Sequence, residues 1–287
     1  MLRDDVEQRP ILPKPARPTH LDFPSGRAGR GLECSILSIA SSVGVVIRAK
    51  NEARHIGDAL AAIFDPAALA PRQVVVVDSG STDGTLDIVR SFPATLVQIQ
   101  PDEFTYGFAL NLAVAHTDAE IVATISAHSL PTNSDWLRHL IEPFKTARVA
   151  GVYGRQIPRA NATILERAGM RLTGVLSDAP RLLATRPLFS NANGAFRRSL
   201  WLEHPFDEAV GGAEDIAWVR SMQERGYLIA YQPTAAVYHS HGEPLIKHLR
   251  RASRDVPTVI GNVLHLGSGG RLAKPARADP VTGPAPD

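Results

Sequence analysis

The run Val74-Val75-Val76-Val77-Asp78-Ser79-Gly80-Ser81-Thr82-Asp83-Gly84-Thr85 constrains the fold of this chain more than any other stretch. Four consecutive valines cannot all lie on one face of a strand, because successive side chains point to opposite faces. Both faces must be covered, which predicts a central parallel strand between two layers of helix. The apolar run ends abruptly in a turn with two carboxylates and two glycines, at the carboxyl edge where such sheets bind ligands. Gly80 and Gly84 permit a tight turn and close backbone approach to a ligand. Thr82 or Asp83 suits a helix cap, and Asp78 can accept hydrogen bonds from a base or ribose. An ordinary strand-to-helix loop uses the same residue types, so the turn alone fits both readings.

Around this run, strand and helix patterns alternate. Val43-Gly44-Val45-Val46-Ile47 reads as a first buried strand, followed by a helix with Ile56, Leu60 and Ile63 at helical spacing, ended by Pro66 and Pro71. A second helix carries Leu86, Ile88 and Val89; Thr95 to Gln100 reads as a third strand, Leu110 to His116 as a helix and Glu120 to Ser126 as a fourth strand. Asp135 to Phe144 is expected to be helical, with Trp136, Leu137, Leu140 and Ile141 inward. The series is βαβα, an α/β protein. Beyond Tyr153 the pattern weakens, and Arg155 to Leu188 reads as a loop-and-helix insertion over a site. Asn191 to Phe196 reads as a short strand or turn, Glu214 to Arg225 as a helix closed by Gly226, and Tyr227 to His239 as a hairpin or strand pair.

The flanks differ in character. Residues 1–40 hold five prolines among scattered charges and are expected to be a disordered leader, ahead of a domain at 41–242. Residues 243–266 suit a basic helix with Lys247, Arg250, Arg251 and Arg254, which could touch anionic lipid; the Gly-, Pro- and Ala-rich 267–287 reads as a disordered tail. A formal charge of +2 over 287 residues gives no case for nucleic acid as a partner. The single Cys34 excludes an intramolecular disulfide, and no apolar segment reaches signal-peptide or membrane-spanning length. These features predict a cytoplasmic protein, or one peripheral to the inner face of the membrane.

The strand ending Arg48-Ala49-Lys50-Asn51-Glu52, followed by the Asp78 turn, resembles the nucleotide-binding half of family 2 glycosyltransferases. The similarity continues through Tyr106-Gly107-Phe108-Ala109-Leu110-Asn111, Val152-Tyr153-Gly154-Arg155-Gln156, Ser190-Asn191-Ala192-Asn193-Gly194, Ala213-Glu214-Asp215 and Val237-Tyr238-His239-Ser240-His241. The resemblance implies a GT-A fold, a Rossmann-like mixed sheet flanked by helices. It also implies inverting transfer of a sugar from a nucleotide-sugar donor to a saccharide or lipid-linked acceptor, as in bacterial polysaccharide assembly, with rhamnosyl-type members the nearest in character.

Carried over residue by residue, the resemblance gives Arg48, Asn51, Glu52, Asp78, Gly80 and Asp83 to the nucleotide and Asp215 to the base, helped by Glu214, with Trp218 one turn on. Asn191, Asn193 and Gly194 match the acceptor-side loop, and Arg155 could contact the diphosphate. The family usually carries Asp-x-Asp after the fourth strand to hold Mg²⁺ or Mn²⁺ against that diphosphate. Here the place reads Ser126-Ala127-His128. A metal site is therefore expected from His128 with His239 or His241, His239 being preferred, and Mn²⁺ suits imidazole better than Mg²⁺. The alternative is a metal-independent site in which Arg48 and Arg155 neutralise the diphosphate. Two rival functions stay open: a catalytically inactive nucleotide-sugar binding protein, and a nucleotide-cofactor oxidoreductase. The second lacks its Gly-x-Gly-x-x-Gly turn after the first strand.

Overall fold

The computed structural model describes residues 42–240 apart from 161 and 173, so the leader, the basic helix, the tail and His241 lie outside the described residues. Strands β1 (Val43–Ala49), β2 (Gln73–Asp78) and β3 (Thr95–Gln98) alternate with helices α1 (Ile56–Ile63) and α2 (Thr85–Arg90). Helix α3 (Tyr106–Ala115), β4 (Ile121–Ser126), the short β5 (Leu130–Pro131) and α4 (Trp136–Ile141) follow. Then come β6 (Val149–Ile157), α5 (Ile164–Leu172), β7 (Arg181–Leu183), β8 (Asn193–Arg197), α6 (Arg198–Glu203), α7 (Glu214–Glu224) and β9 (Leu228–Tyr238).

The strands form one sheet in the order β3-β2-β1-β4-β8-β6-β9-β5, with β7 also on β9. The valine run behaves as its composition demands. Val74 and Val76 belong to a core on one face with Ile56, Leu60 and Trp136. Val75 and Val77 belong to a second core with Leu110, Trp218 and Met222. Each buried valine contributes about 2 kcal/mol of transfer free energy, so covering both faces outweighs any one-sided arrangement.

Pairing register then sets the site. β1 is parallel to both β2 and β4, with Ala49 opposite Asp78 and Arg48 opposite Ser126, so the three strands end together. β8 runs antiparallel to β4 and β6 and enters at that edge, Asn193 lying opposite Ile125. β6 and β9 are parallel and also finish there, with Ile157 opposite Tyr238.

Several expected boundaries shift for local reasons. Helix α3 starts at Tyr106 rather than Leu110, because Thr105 caps it by accepting the Phe108 N–H at 3.0 Å. Helix α4 gives way after Ile141 to a 3₁₀ turn over Glu142–Lys145 with Pro143 near its start, which lacks the amide an α-helix needs. Its predicted inward residues, Trp136, Leu137, Leu140 and Ile141, are all buried. β3 stops two residues early, at Gln98. The expected late hairpin is instead one continuous strand, β9. It pairs with β6 along one side, and with β7 and β5 along the two halves of the other. The insertion begins only after β6, which extends to Ile157, and it holds α5 and β7.

Asn111, singled out with the Tyr106 stretch, is a buried junction. Its Oδ1 accepts from Trp201 Nε1 (2.9 Å) and the Phe206 N–H (3.1 Å). Its Nδ2 donates to the Phe206 carbonyl and to Glu208 Oε1, both at 2.9 Å. One amide thus ties α3 to α6 and to the loop leading into α7. Asn111→Ala strips several buried groups of their partner, and should lower stability by about 2 to 3 kcal/mol in urea titration.

Candidate active site

The β1–α1 and β2–α2 turns are laced together. Asp78 is fully buried; its Oδ1 accepts the Gly80 and Ser81 N–H groups at 2.9 Å, and its Oδ2 accepts from the Ser81 hydroxyl. Gly80 takes φ of 87°, and a Cβ there would meet Pro101 at 2.7 Å, so glycine is required on both counts. Asn51 sits at φ 54°, a left-handed conformation asparagine tolerates, and its Oδ1 accepts the Thr82 N–H at 2.8 Å. Ser81 Oγ accepts the Asn51 N–H at 2.7 Å, and Thr85 Oγ1 accepts that of Glu52 at 2.8 Å. Asp83 bonds the Thr85 hydroxyl and the Thr85 and Ala53 amides, contacts that hold its carboxyl below the usual range. The cap residue of α2 is Gly84, at φ 90°, while Asp83 serves the first helical N–H from one position further out.

Across the edge, His128 Nδ1 lies 2.8 Å from Glu52 Oε1, and its ring stacks on His239 at 5.0 Å between centroids. Ser126 Oγ lies 3.2 and 3.1 Å from the two nitrogens of the same ring. Arg159, just past β6, donates to the His128 carbonyl at 3.0 Å. Burial lowers the pKa of nearby His55, and the positive charges of Arg159 and Arg54 lower it further while Glu52 opposes them. A carboxylate on Nδ1 is the usual partner of a ligating imidazole, which fits a cation at the other nitrogen. Among the described residues, however, no group of three His, Cys, Asp or Glu side chains is placed to hold a metal ion. The donor set therefore fits a cation only when shared with oxygens of a bound ligand.

Glu214 and Asp215 open α7. Glu214 Oε1 accepts from Arg48 Nη1 at 3.1 Å and from Asn191 Nδ2 at 3.2 Å. Asp215 Oδ1 accepts the Ile216 N–H at 2.8 Å, and Oδ2 the Asn191 N–H at 3.3 Å. Burial and the neighbouring Glu214 charge push the Asp215 carboxyl up to about 7, against the pull of those two amides and of Arg48. The residue as a whole is half-buried. A group that exchanges its proton near neutrality, at the carboxyl edge of the sheet, suits general base chemistry.

Other predicted residues are placed elsewhere. Asn193 is fully buried: Oδ1 accepts from Trp136 Nε1 at 2.8 Å, and Nδ2 donates to the Arg155 and Ala235 carbonyls at 2.9 and 2.8 Å. Gly194 has no room for a side chain, since a Cβ would lie 2.8 Å from both the Phe189 ring and the Ser190 carbonyl. Trp218 packs on Phe196 and Phe206 and donates to the His204 carbonyl at 2.8 Å. Arg155 pairs with Asp178. These four make internal contacts of their own, while the network around the two turns and His128 is joined by Ser81, Thr85, His55 and Arg159. Strand length was the signal for the last: β6 runs to Ile157, so the first basic residue beyond its end is Arg159, not Arg155.

The model of glycosyl transferase family 2 matches residues 44–200, more than half of the chain. The chain belongs to glycosyl transferase family 2. It is 31% identical over 186 residues to the O-antigen chain rhamnosyltransferase WbaN of Salmonella anatum, covering 60% of this chain and 57% of that protein. RfbN of Salmonella typhimurium, also an O-antigen chain rhamnosyltransferase, is 30% identical over 181 residues, 60% of this chain and 58% of its own. The chain thus spans less than three fifths of the curated relatives it matches.

Among solved structures, the mannosyltransferase PcManGT of Pyrobaculum calidifontis, in complex with GDP-Man and Mn²⁺, superposes with a TM-score of 0.60 at 25% identity. That match covers 80% of this chain and 66% of PcManGT. Glucosyl-3-phosphoglycerate synthase of Mycobacterium tuberculosis gives a TM-score of 0.59 at 22% identity over 85% and 88% of the two chains. The fold of this family 2 member is GT-A, a mixed α/β sheet flanked by helices. No helix among the described residues is long and apolar enough to cross a membrane.

The raised Asp215 pKa has a consequence for stability. From the ordinary 3.8 to about 7 the folded state keeps a proton that the unfolded chain has released, so this group's contribution falls as pH rises through that window, then levels off. Asp215→Asn should therefore gain stability over the parent between pH 4 and 7 and hold the gain at pH 8, read as urea midpoints across pH. A gap independent of pH would contradict the shift.

Proposed function

We propose that this chain is an inverting glycosyltransferase that moves a sugar, rhamnose or a related hexose, from a nucleotide-sugar donor to an acceptor hydroxyl in bacterial polysaccharide assembly. The observation that carries the reading is Asp215: a carboxylate of near-neutral pKa at the strand edge that also holds the β1–α1 and β2–α2 turns. An inverting displacement needs one base on the acceptor face, and Asp215 supplies it. The rhamnosyl donor and the pathway rest on the two Salmonella relatives. The acceptor is a saccharide or a lipid-linked saccharide.

In this reading the laced turns receive the nucleoside. Asp78 shapes the pocket from beneath through Gly80 and Ser81, and Asn51, Glu52 and Asp83 line it. Asn191, whose side-chain Nδ2 donates to Glu214 and whose backbone N–H donates to Asp215, lies on the acceptor side. His128, oriented by Glu52 and backed by His239, would hold a divalent cation together with the donor diphosphate, Mn²⁺ in preference to Mg²⁺. Such a cation would neutralise charge on the leaving diphosphate. Arg159 beside it, donating to the His128 carbonyl, brings positive charge to the same place. PcManGT, solved with GDP-Man and Mn²⁺, supports this combination.

Nucleoside diphosphate release from a panel of activated deoxyhexoses and hexoses, with and without Mn²⁺, tests the reading. Asp215→Asn should lower kcat by a factor of about 10² to 10⁴ with donor KM little changed, and the parent should lose activity below an acidic limb near pH 7. Full activity in Asp215→Asn would remove it as the base, and donor binding without release would favour a silent binding protein. His128→Ala should raise the Mn²⁺ concentration for half-maximal rate at least tenfold; an unchanged metal response would take His128 out of the cation site.

A further inference from the structure

Alternate residues of a strand share a face, and Arg48 shares its face of β1 with Val46, which lies in the core with Leu110 of α3 and Trp218 of α7. That parity delivers the guanidinium to the first turns of both helices. Nη1 donates to the Tyr106 carbonyl and to Glu214 Oε1, each at 3.1 Å, and the guanidinium carbon lies 4.9 Å from the Tyr106 ring centroid. Only 4% of the Glu214 side chain and 22% of that of Arg48 is exposed. A carboxylate so enclosed is costly without its partner, so removing Arg48 would leave a charge that must be neutralised some other way.

The connections run on to Asp215. Glu214 Oε1 also holds Asn191 Nδ2, Asn191 gives its N–H to Asp215 Oδ2, and its Oδ1 accepts from the Thr124 hydroxyl at 3.3 Å. Four groups act on the Asp215 carboxyl. Glu214 on α7 repels its charge; Arg48 on β1, the Ile216 amide on α7 and the Asn191 amide ahead of β8 favour it.

We propose that Arg48 and Glu214 are a positioning pair that fixes Asp215 at the start of α7 and sets how readily it takes a proton, so that Arg48 acts through the base and not on the nucleotide. This rests on Asp215 being the base of sugar transfer. Glu214 makes Asp215 basic enough to accept the acceptor's proton, and Arg48 limits that effect so that the carboxylate is still available near neutral pH. The first strand and the helix that carries the base are thereby joined by charge.

The test combines pH–rate profiles with carbon-13 NMR titration of the Asp215 carboxyl in the free protein, the resonance being assigned with Asp215→Asn. Arg48→Met should raise both the acidic limb and the NMR titration midpoint by about one unit or more. Glu214→Gln should lower both, the double variant should fall between, and Arg48→Lys should restore the parental values. A midpoint unmoved in Arg48→Met, with donor KM raised, would make Arg48 a nucleotide contact and overturn the proposal. Should Arg48→Met fail to fold, Glu214→Gln decides alone: a downward shift supports the pair, no shift rejects it. NMR midpoints that move in a protein releasing no nucleotide from any donor would sink the transferase reading while leaving the pair in place.

Discussion

The shared register of β1, β2 and β4 is the constraint on which the rest of the molecule depends. The valines of β2 bury on both faces, which commits the strand to the middle of a parallel sheet, and parallel pairing lets neighbouring strands end side by side. Ala49 beside Asp78 and Arg48 beside Ser126 then follow from the ladder, not from any loop. A slip by one residue would exchange the faces, sending Arg48 away from α3 and α7 and burying it among Ile56 and Leu60. The apolar pattern and the placement of the charges are therefore one specification.

The counter-running strand β8 makes the edge two-sided. Because it is antiparallel to β4, its start rather than its end lies there, bringing Asn191 beside Glu214 and Asp215. Asn193, two residues on, locks the same corner from within by bonding α4, β6 and the β9 backbone. Asn111 does the equivalent for α6 and the loop ahead of α7. Each of these buried amides satisfies its donors and acceptors inside the protein, the condition under which polar groups in a core stabilise it. Rigidity at this corner matters for Asp215, whose unusual proton affinity depends on distances to Glu214, Arg48 and two amides.

The layered α/β order and the inward faces of α1 and α4 were legible in sequence because periodicity records burial. So was the crevice, since strand ends in a parallel sheet converge. What sequence could not separate was which amide serves which part: Asn191 and Asn193 are both buried and two residues apart in one motif, yet the first bonds the Glu214 and Asp215 carboxyls and the second bonds Trp136 and the β6 and β9 backbone. Trp218 shows the same limit, reading as part of the site while packing against Phe196 and Phe206 in the core. Arg48 was legible as a polar residue at a strand end, but its partner is 166 positions away, and no local pattern reports a pairing of that range. Long-range contacts also explain the hairpin that is one strand, because β9 is set by partners on both sides.

On the family resemblance, Ser126 and His128 stand where two carboxylates are expected, and that difference bears on the charge balance of the site. Where two carboxylates stand at this place, a divalent cation must offset them as well as the diphosphate. Here one serine and one imidazole stand there, the imidazole facing Glu52, with Arg159 and His55 close by. On the proposed reading, less of the cation's charge is needed to balance protein carboxylates, so more is left for the phosphates, and its binding becomes more dependent on the donor being present. The two ends of the reaction then place opposing demands on pH. As the proposed base, Asp215 would have to lose its proton to act, which favours the alkaline side of about 7, whereas histidines beside a bound diphosphate would help by charge only when protonated. On that reading a cation at His128 would resolve the conflict, because it would supply positive charge without a proton and leave the working pH to Asp215 and the proposed Arg48–Glu214 pair.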